Sequence, residues 1–186
     1  AYGVFANGGY LKKPYFIEKI IDSKGRKIKN SSELMNDETP RIIDPRNAFI
    51  MTDMLKEVIS TGTGRKAKRL KRSDVAGKTG TTNDLIDAWF AGFNPDIVTV
   101  TWMGYDQPKP LGKYETGARA ALPIWIDYME PILSQYPIKM LAEPDGITPF
   151  KIDPDNSLIV EPSEKGFYEY FYDEFQPQSN AYFMIN

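Results

Sequence analysis

Two apolar runs constrain the fold most: Ala88-Trp89-Phe90-Ala91-Gly92-Phe93 and Ile97-Val98-Thr99-Val100-Thr101-Trp102-Met103, separated only by Asn94-Pro95-Asp96. Each has the length of a strand and is rich in β-branched or aromatic residues. The Pro between them builds a turn, so the runs should pair antiparallel. Both are apolar on both faces, a pattern that calls for helices on each side of the sheet. Trp89, Phe90 and Phe93 are accordingly expected in the core. With the segment from Val75 added, three consecutive antiparallel strands are predicted near 75–82, 87–94 and 97–105.

Helices are predicted on either side of this block. Asp44-Pro45 supplies an N-cap and a Pro at the first helical position, with Met51, Met54, Leu55 and Val58 following at helical spacing. That helix should run for ~four turns and stop near Thr61-Gly62. Glu115 to Leu133 forms another, with Ala118, Leu122, Trp125, Met129 and Leu133 on one stripe and Pro123 and Pro131 kinking or interrupting it. The opening Ala1-Tyr2-Gly3-Val4-Phe5-Ala6 reads as the last turns of a helix stopped by Asn7-Gly8-Gly9, which leads us to expect further sequence upstream. Phe16 to Ile21 and Lys27-Ile28-Lys29 make a hairpin across Asp22-Ser23-Lys24-Gly25. Hairpins mixed with helices predict an α+β fold, an antiparallel sheet with helices on both faces.

Charge divides the chain. Residues 1–142 hold 21 basic and 16 acidic side chains, whereas residues 143–186 hold 2 and 9. The break falls at Glu143-Pro144-Asp145-Gly146, so we expect a main domain over 1–142 and an acidic, aromatic extension over 143–186. Between Glu161 and Phe175 the extension either packs its rings on the parent domain or meets a partner. The basic run from Arg65 to Arg72 has six cations in eight residues but no interleaved aromatics. It reads as a solvated loop that adds positive potential near a cleft, not as a nucleic-acid site. The chain has no Cys and no His. Its own residues therefore supply no disulfide, zinc thiolate or imidazole, Cys nucleophile or Ser-His-Asp triad, and neither metal nor cofactor is expected. No run approaches the ~18 apolar residues of a membrane span.

Chemistry concentrates in Ala76-Gly77-Lys78-Thr79-Gly80-Thr81-Thr82-Asn83-Asp84. A phosphate loop would need Gly five residues before Gly77, where Arg72 stands, and a helix after Thr79 instead of a Trp-Phe strand. The other reading places Lys-Thr-Gly on a sheet edge, the third signature of the serine penicillin-recognising enzymes. There Lys78 and Thr79 flank a ligand from opposite faces, and Gly80 lets it approach the backbone. The amide of Thr81 donates to a developing oxyanion, while the hydroxyls of Thr79 and Thr81, with the charge of Lys78, hold a carboxylate. Trp102 and Tyr105 either line a substrate groove or pack.

Four stretches resemble, in order and spacing, the C-terminal half of the transpeptidase domain of class A penicillin-binding proteins. They are Ala1 to Tyr10, Gly62-Thr63-Gly64-Arg65, Ala76 to Asp84, and Asp87-Ala88-Trp89-Phe90-Ala91-Gly92-Phe93-Asn94-Pro95. The resemblance covers residues 1–150 and, more loosely, Pro144-Asp145-Gly146-Ile147 to Ile152-Asp153. It implies a bifunctional, membrane-anchored peptidoglycan synthase on the periplasmic side of a bacterial inner membrane. Its transpeptidase joins stem peptides through D-Ala-D-Ala and is acylated by β-lactams. Lys78 and Thr81 are then the expected catalytic residues, with Thr79, Gly80, Thr81 and Thr82 binding substrate. None of the nine serines has Lys three residues later, and no S-x-N occurs. The nucleophile is therefore expected from an upstream half, as are the glycosyltransferase and the membrane anchor, and these residues alone should not acylate. A non-catalytic or β-lactam-sensing domain of the same fold is the alternative.

Overall fold

In the computed structural model, which describes residues 1–30 and 39–179, the chain runs α1 (Tyr2–Ala6), β1 (Lys19–Ile21), β2 (Lys27–Asn30), α2 (Pro45–Ser60), β3 (Ala76–Thr81), β4 (Ala88–Phe93), β5 (Val98–Met103), α3 (Leu122–Leu133), β6 (Ile147–Ile152) and β7 (Phe167–Tyr172). Asn94 makes the central turn: its Oδ1 accepts from the N–H groups of Asp96 at 3.2 Å and Ile97 at 2.9 Å. β4 and β5 consequently pair antiparallel, Phe93 opposite Val98 and Ala88 opposite Met103. β3 pairs with the other edge of β4, Ala76 opposite Phe93 and Thr81 opposite Ala88, so the three predicted strands form one antiparallel sheet.

Helices lie on both faces. On one, α3 lays Trp125 against Phe90, ring centroids 5.0 Å apart and edge to face, and the indole N–H donates to Thr99 O at 3.0 Å. Gly92 makes the fit possible, because a Cβ there would stand 2.5 Å from Trp125 Cζ2. On the other face α1 and α2 cover Ala76 and Phe93, with Ala6 and Leu55 between them. Asp44 caps α2 as expected, its carboxylate accepting the Arg46 N–H at 2.8 Å.

Several expectations are corrected. Trp89 is 41% exposed, and Val98, Val100 and Trp102 on the same face are exposed too, because the packing of α1 and α2 on that face centres on Ala76 and Phe93. The buried stripe of α2 is Ala48, Phe49, Thr52, Leu55 and Ile59, with Met54 turned to solvent. The expected helix from Glu115 begins instead as a π-turn, Gly117–Ala121, and Pro123 in the first turn of α3 does not interrupt it. β1 starts only at Lys19, leaving Phe16 and Ile17 exposed. The basic run is no loop but a 3-10 helix, Arg65–Leu70, with Ala67 buried.

The strands β6 and β7 form a hairpin that docks on the start of α2. Phe49 meets Tyr170 edge to face at 5.0 Å, and Arg46 both pairs with Glu174 at 2.8 Å and lies 4.7 Å over the Tyr172 ring. The rings of Tyr170 and Tyr172 thus pack on α2.

One buried ion pair joins helix to strand. Arg72 holds Asp74, whose side chain has no exposed surface, through Nε at 2.9 Å and Nη2 at 2.6 Å. Arg72 also donates to the carbonyls of Leu133, Tyr136 and Pro137, and Asp74 accepts from Asn94 Nδ2 and the Lys139 N–H. Burial pushes the Asp74 carboxyl up, but Arg72, the Lys139 amide and Asn94 together outweigh it and hold it below the usual carboxylate range. The stability from this pair is thus present above the ordinary carboxylate pKa and lost as pH falls through the lowered one. We predict that Arg72→Met costs about 3–5 kcal/mol by urea denaturation, the usual penalty for stranding a buried charge.

Candidate active-site edge

β3 gives one edge to β4 and leaves the other without a strand partner among the described residues. A single bond tells which groups face outward. The Thr82 N–H donates to Asp87 O at 3.1 Å, toward β4, and successive amides of a strand point to opposite edges. The N–H and C=O groups of Thr79 and Thr81 therefore point off the open edge, those of Lys78 and Gly80 into the ladder. Side chains alternate likewise: Lys78 lies on the face of Ala91 and Val100, Thr79 on that of Phe90 and Thr101. The two flank the edge from opposite faces as expected, and the exposed Lys78 ammonium bends over it to donate to Thr79 O at 3.0 Å.

Each hydroxyl is held from within the protein. Thr81 Oγ1 accepts the Gly117 N–H at 3.0 Å, which leaves its own O–H available as a donor. Thr79 Oγ1 lies 2.8 Å from Thr63 Oγ1. Thr63 reaches it because Gly62 and Gly64 fold back on the last turn of α2, where a Cβ would stand 2.9 Å from Val58 Cα and 3.0 Å from Val58 O respectively. Thr82 is different: its Oγ1 accepts the Asp87 N–H at 2.8 Å and so closes the turn into β4. A Cβ on Gly80 would stand 3.2 Å from Trp89 Cβ, so the bare backbone also makes room for that ring.

The loop after the edge is strained and tied down. Asp84 (φ 58°) and Leu85 (φ 55°) are consecutive left-handed residues, an uncommon conformation for side chains of this kind. Leu85 O accepts the Leu111 N–H at 2.9 Å, and Asp87 accepts the Trp102 Nε1–H at 2.8 Å. Trp102 lies on the Lys78 face with its centroid 6.0 Å from that of Trp89, and Tyr105 carries Lys109 Nζ 4.1 Å from its ring centre. Residues 76–81 are thus a paired strand, which removes the phosphate-loop reading. Among the described residues no three His, Cys, Asp or Glu side chains gather as a metal site would require. Sequence reasoning missed the supports Thr63 and Gly117. The glycines around Thr63 were a visible signal, but Gly117 lies 36 residues beyond Thr81 and left none.

The chain is similar to known proteins. Residues 1–130 match the family described as the penicillin binding protein transpeptidase domain. Penicillin-binding protein 1A of Neisseria lactamica is 50% identical over 148 residues, covering 79% of this chain and 18% of that protein. Penicillin-binding protein 1A of Pseudomonas aeruginosa is 39% identical, covering 96% of this chain and 28% of that protein. A crystal structure of penicillin-binding protein 1A from Haemophilus influenzae superposes with a TM-score of 0.87 at 33% identity, covering 95% of this chain and 31% of that one. The chain therefore spans less than a third of the length of these relatives.

The support beneath the edge is testable. A Cβ on Gly117 would collide with the backbone oxygens of Gly80 and Trp89. Gly117→Ala is expected to cost about 1–3 kcal/mol, as overpacking usually does. An unchanged melting temperature would show that the π-turn is not seated on β3 as described.

Proposed function

The chain belongs to the penicillin binding protein transpeptidase family, and on that premise we propose that it supplies the Lys-Thr-Gly edge of a serine D-Ala-D-Ala transpeptidase that cross-links peptidoglycan stem peptides and is acylated by β-lactams. The observation that supports this most is the open edge of β3, with the Thr81 N–H directed off it and Lys78 bent over it. A stem peptide laid along that edge brings its terminal carboxylate to Lys78 and to the hydroxyls of Thr79 and Thr81. The Thr81 N–H then donates to the oxygen of the penultimate D-Ala carbonyl as negative charge develops there. Gly80 admits the close approach, and Thr82 holds the end of the strand in place through Asp87.

The attacking hydroxyl is a serine outside these 186 residues, since no serine here is followed by Lys at the third position. Its Oγ adds to the carbonyl carbon, the C–N bond breaks, and D-Ala leaves with a proton on its amine. An acceptor amine next attacks the resulting ester, forms the new amide and returns the serine hydroxyl. Lys78 assists proton traffic and steadies the carboxylate. In this reading residues 1–142 belong to the catalytic domain and residues 143–186 form an accessory extension. The rest of the protein carries a peptidoglycan glycosyltransferase and a membrane anchor that keeps the domain extracytoplasmic. A parent that lacks the S-x-x-K serine would use the same edge only to bind or sense β-lactams.

Acylation of the full-length protein by a fluorescent penicillin tests the assignment. Thr81→Pro removes an N–H that makes no ladder bond and should slow acylation by ~10²–10³, whereas Thr81→Ala keeps the amide and should lose much less. A proline variant with the parent's melting temperature and the parent's rate would remove Thr81 from the oxyanion hole. The 186-residue chain by itself should take up no label, and stoichiometric labelling of it would refute the external serine.

A further inference from the structure

The helix Arg65–Leu70 sorts its cations by a three-residue repeat. In a 3-10 helix residues three apart lie in one row. Ala67 and Leu70 form the row that packs on the core. Arg69 turns to α3, where it meets Asp127 and lies 3.2 Å from Glu130, and Arg72 beyond the helix is spent on Asp74. Arg65 and Lys68 make the outer row, which Lys71 continues at the left-handed C-cap, and Lys66 stands one turn before Arg69 in the neighbouring row. All four are exposed, and among the described residues none of them has an ion-pair or side-chain hydrogen-bond partner.

Helix chemistry does not account for this row. Arg65 and Lys66 stand in the first turn, where the helix dipole disfavours positive charge. The chain's own acidic extension does not neutralise them either. Glu174 pairs with Arg46 at the start of α2, Asp173 accepts from Thr148 of β6 and Glu143 accepts from Tyr170 of β7. The helix begins two residues after Thr63, whose hydroxyl touches that of Thr79, so Arg65 enters it next to a support of the β3 edge.

We propose that Arg65, Lys66 and Lys68 form a secondary binding surface for the carboxylate-bearing peptide of peptidoglycan, adjoining but separate from the edge that takes the reacting D-Ala-D-Ala. This rests on the transpeptidase reading. An acidic peptide fits better than a membrane surface, because the apolar row of the helix faces inward and leaves nothing to insert among lipids.

The test uses the detergent-solubilised full-length protein and the variant Arg65→Gln/Lys66→Gln/Lys68→Gln, with retention on purified peptidoglycan sacculi and acylation by fluorescent penicillin read separately. The variant should bind sacculi about fivefold to tenfold more weakly at low salt, with the gap closing at high salt, as expected for exposed charges. Its acylation rate and melting temperature should match the parent's. A soluble acidic stem peptide should displace the parent from sacculi better than a short-chain phosphatidylglycerol or a DNA oligonucleotide does. Equal retention of parent and variant overturns the proposal, and so does stronger displacement by the lipid or the DNA. Failure of the parent to acylate would instead strike the transpeptidase reading, leaving the retention comparison to judge the surface by itself.

Discussion

Asp74 is a carboxylate without exposed surface, and an ion in that position is tolerated only when every oxygen is answered. Arg72 answers it and, with its remaining donors, takes up the carbonyls of Leu133, Tyr136 and Pro137 at and beyond the end of α3. The start of β3 and the end of α3 are therefore one joint. From that joint α3 runs back under the sheet to Trp125 and on to the π-turn, whose Gly117 supports Thr81. The position of the open edge depends on an interaction that touches no part of it.

The edge itself divides its groups cleanly. The amides of Thr79 and Thr81 point outward, while the hydroxyls of Thr79, Thr81 and Thr82 are restrained by Thr63, Gly117 and Asp87. Such restraint suits a proposed site that stabilises charge with fixed dipoles, since donors already in place cost no reorganisation when the charge appears. The pair of left-handed residues at Asp84 and Leu85 fits the same pattern, with local strain kept where the surrounding contacts over-determine it.

Much of this was legible in the residues. The two apolar runs about Asn94-Pro95-Asp96 and the segment from Val75 specified three strands, and Asp44-Pro45 specified where α2 begins. Period and turn chemistry are local, so they survive without tertiary knowledge. The exposure of Trp89 and Val100 was not legible, because an apolar strand reads the same whether or not a helix reaches it. Nor was the buried face of α2, where Thr52 lies inside by donating to Ala48 O at 2.8 Å, with Phe5 O 3.3 Å from the same hydroxyl, while Met54 is outside. Within the site, the residues of the edge were named from the motif, but their supports come from distant loops and required coordinates.

β5 has a further consequence for handling the chain. Its outer side carries no strand among the described residues, and Val98, Val100 and Trp102 stand exposed along the same strand. An unpaired ladder beside an apolar strip is a template on which another chain can add a strand. Produced at high concentration as 186 residues, the protein should self-associate through that margin and precipitate sooner than its modest net charge of −2 alone would suggest. A charged or proline residue at the rim of β5 is the place to begin in making it soluble.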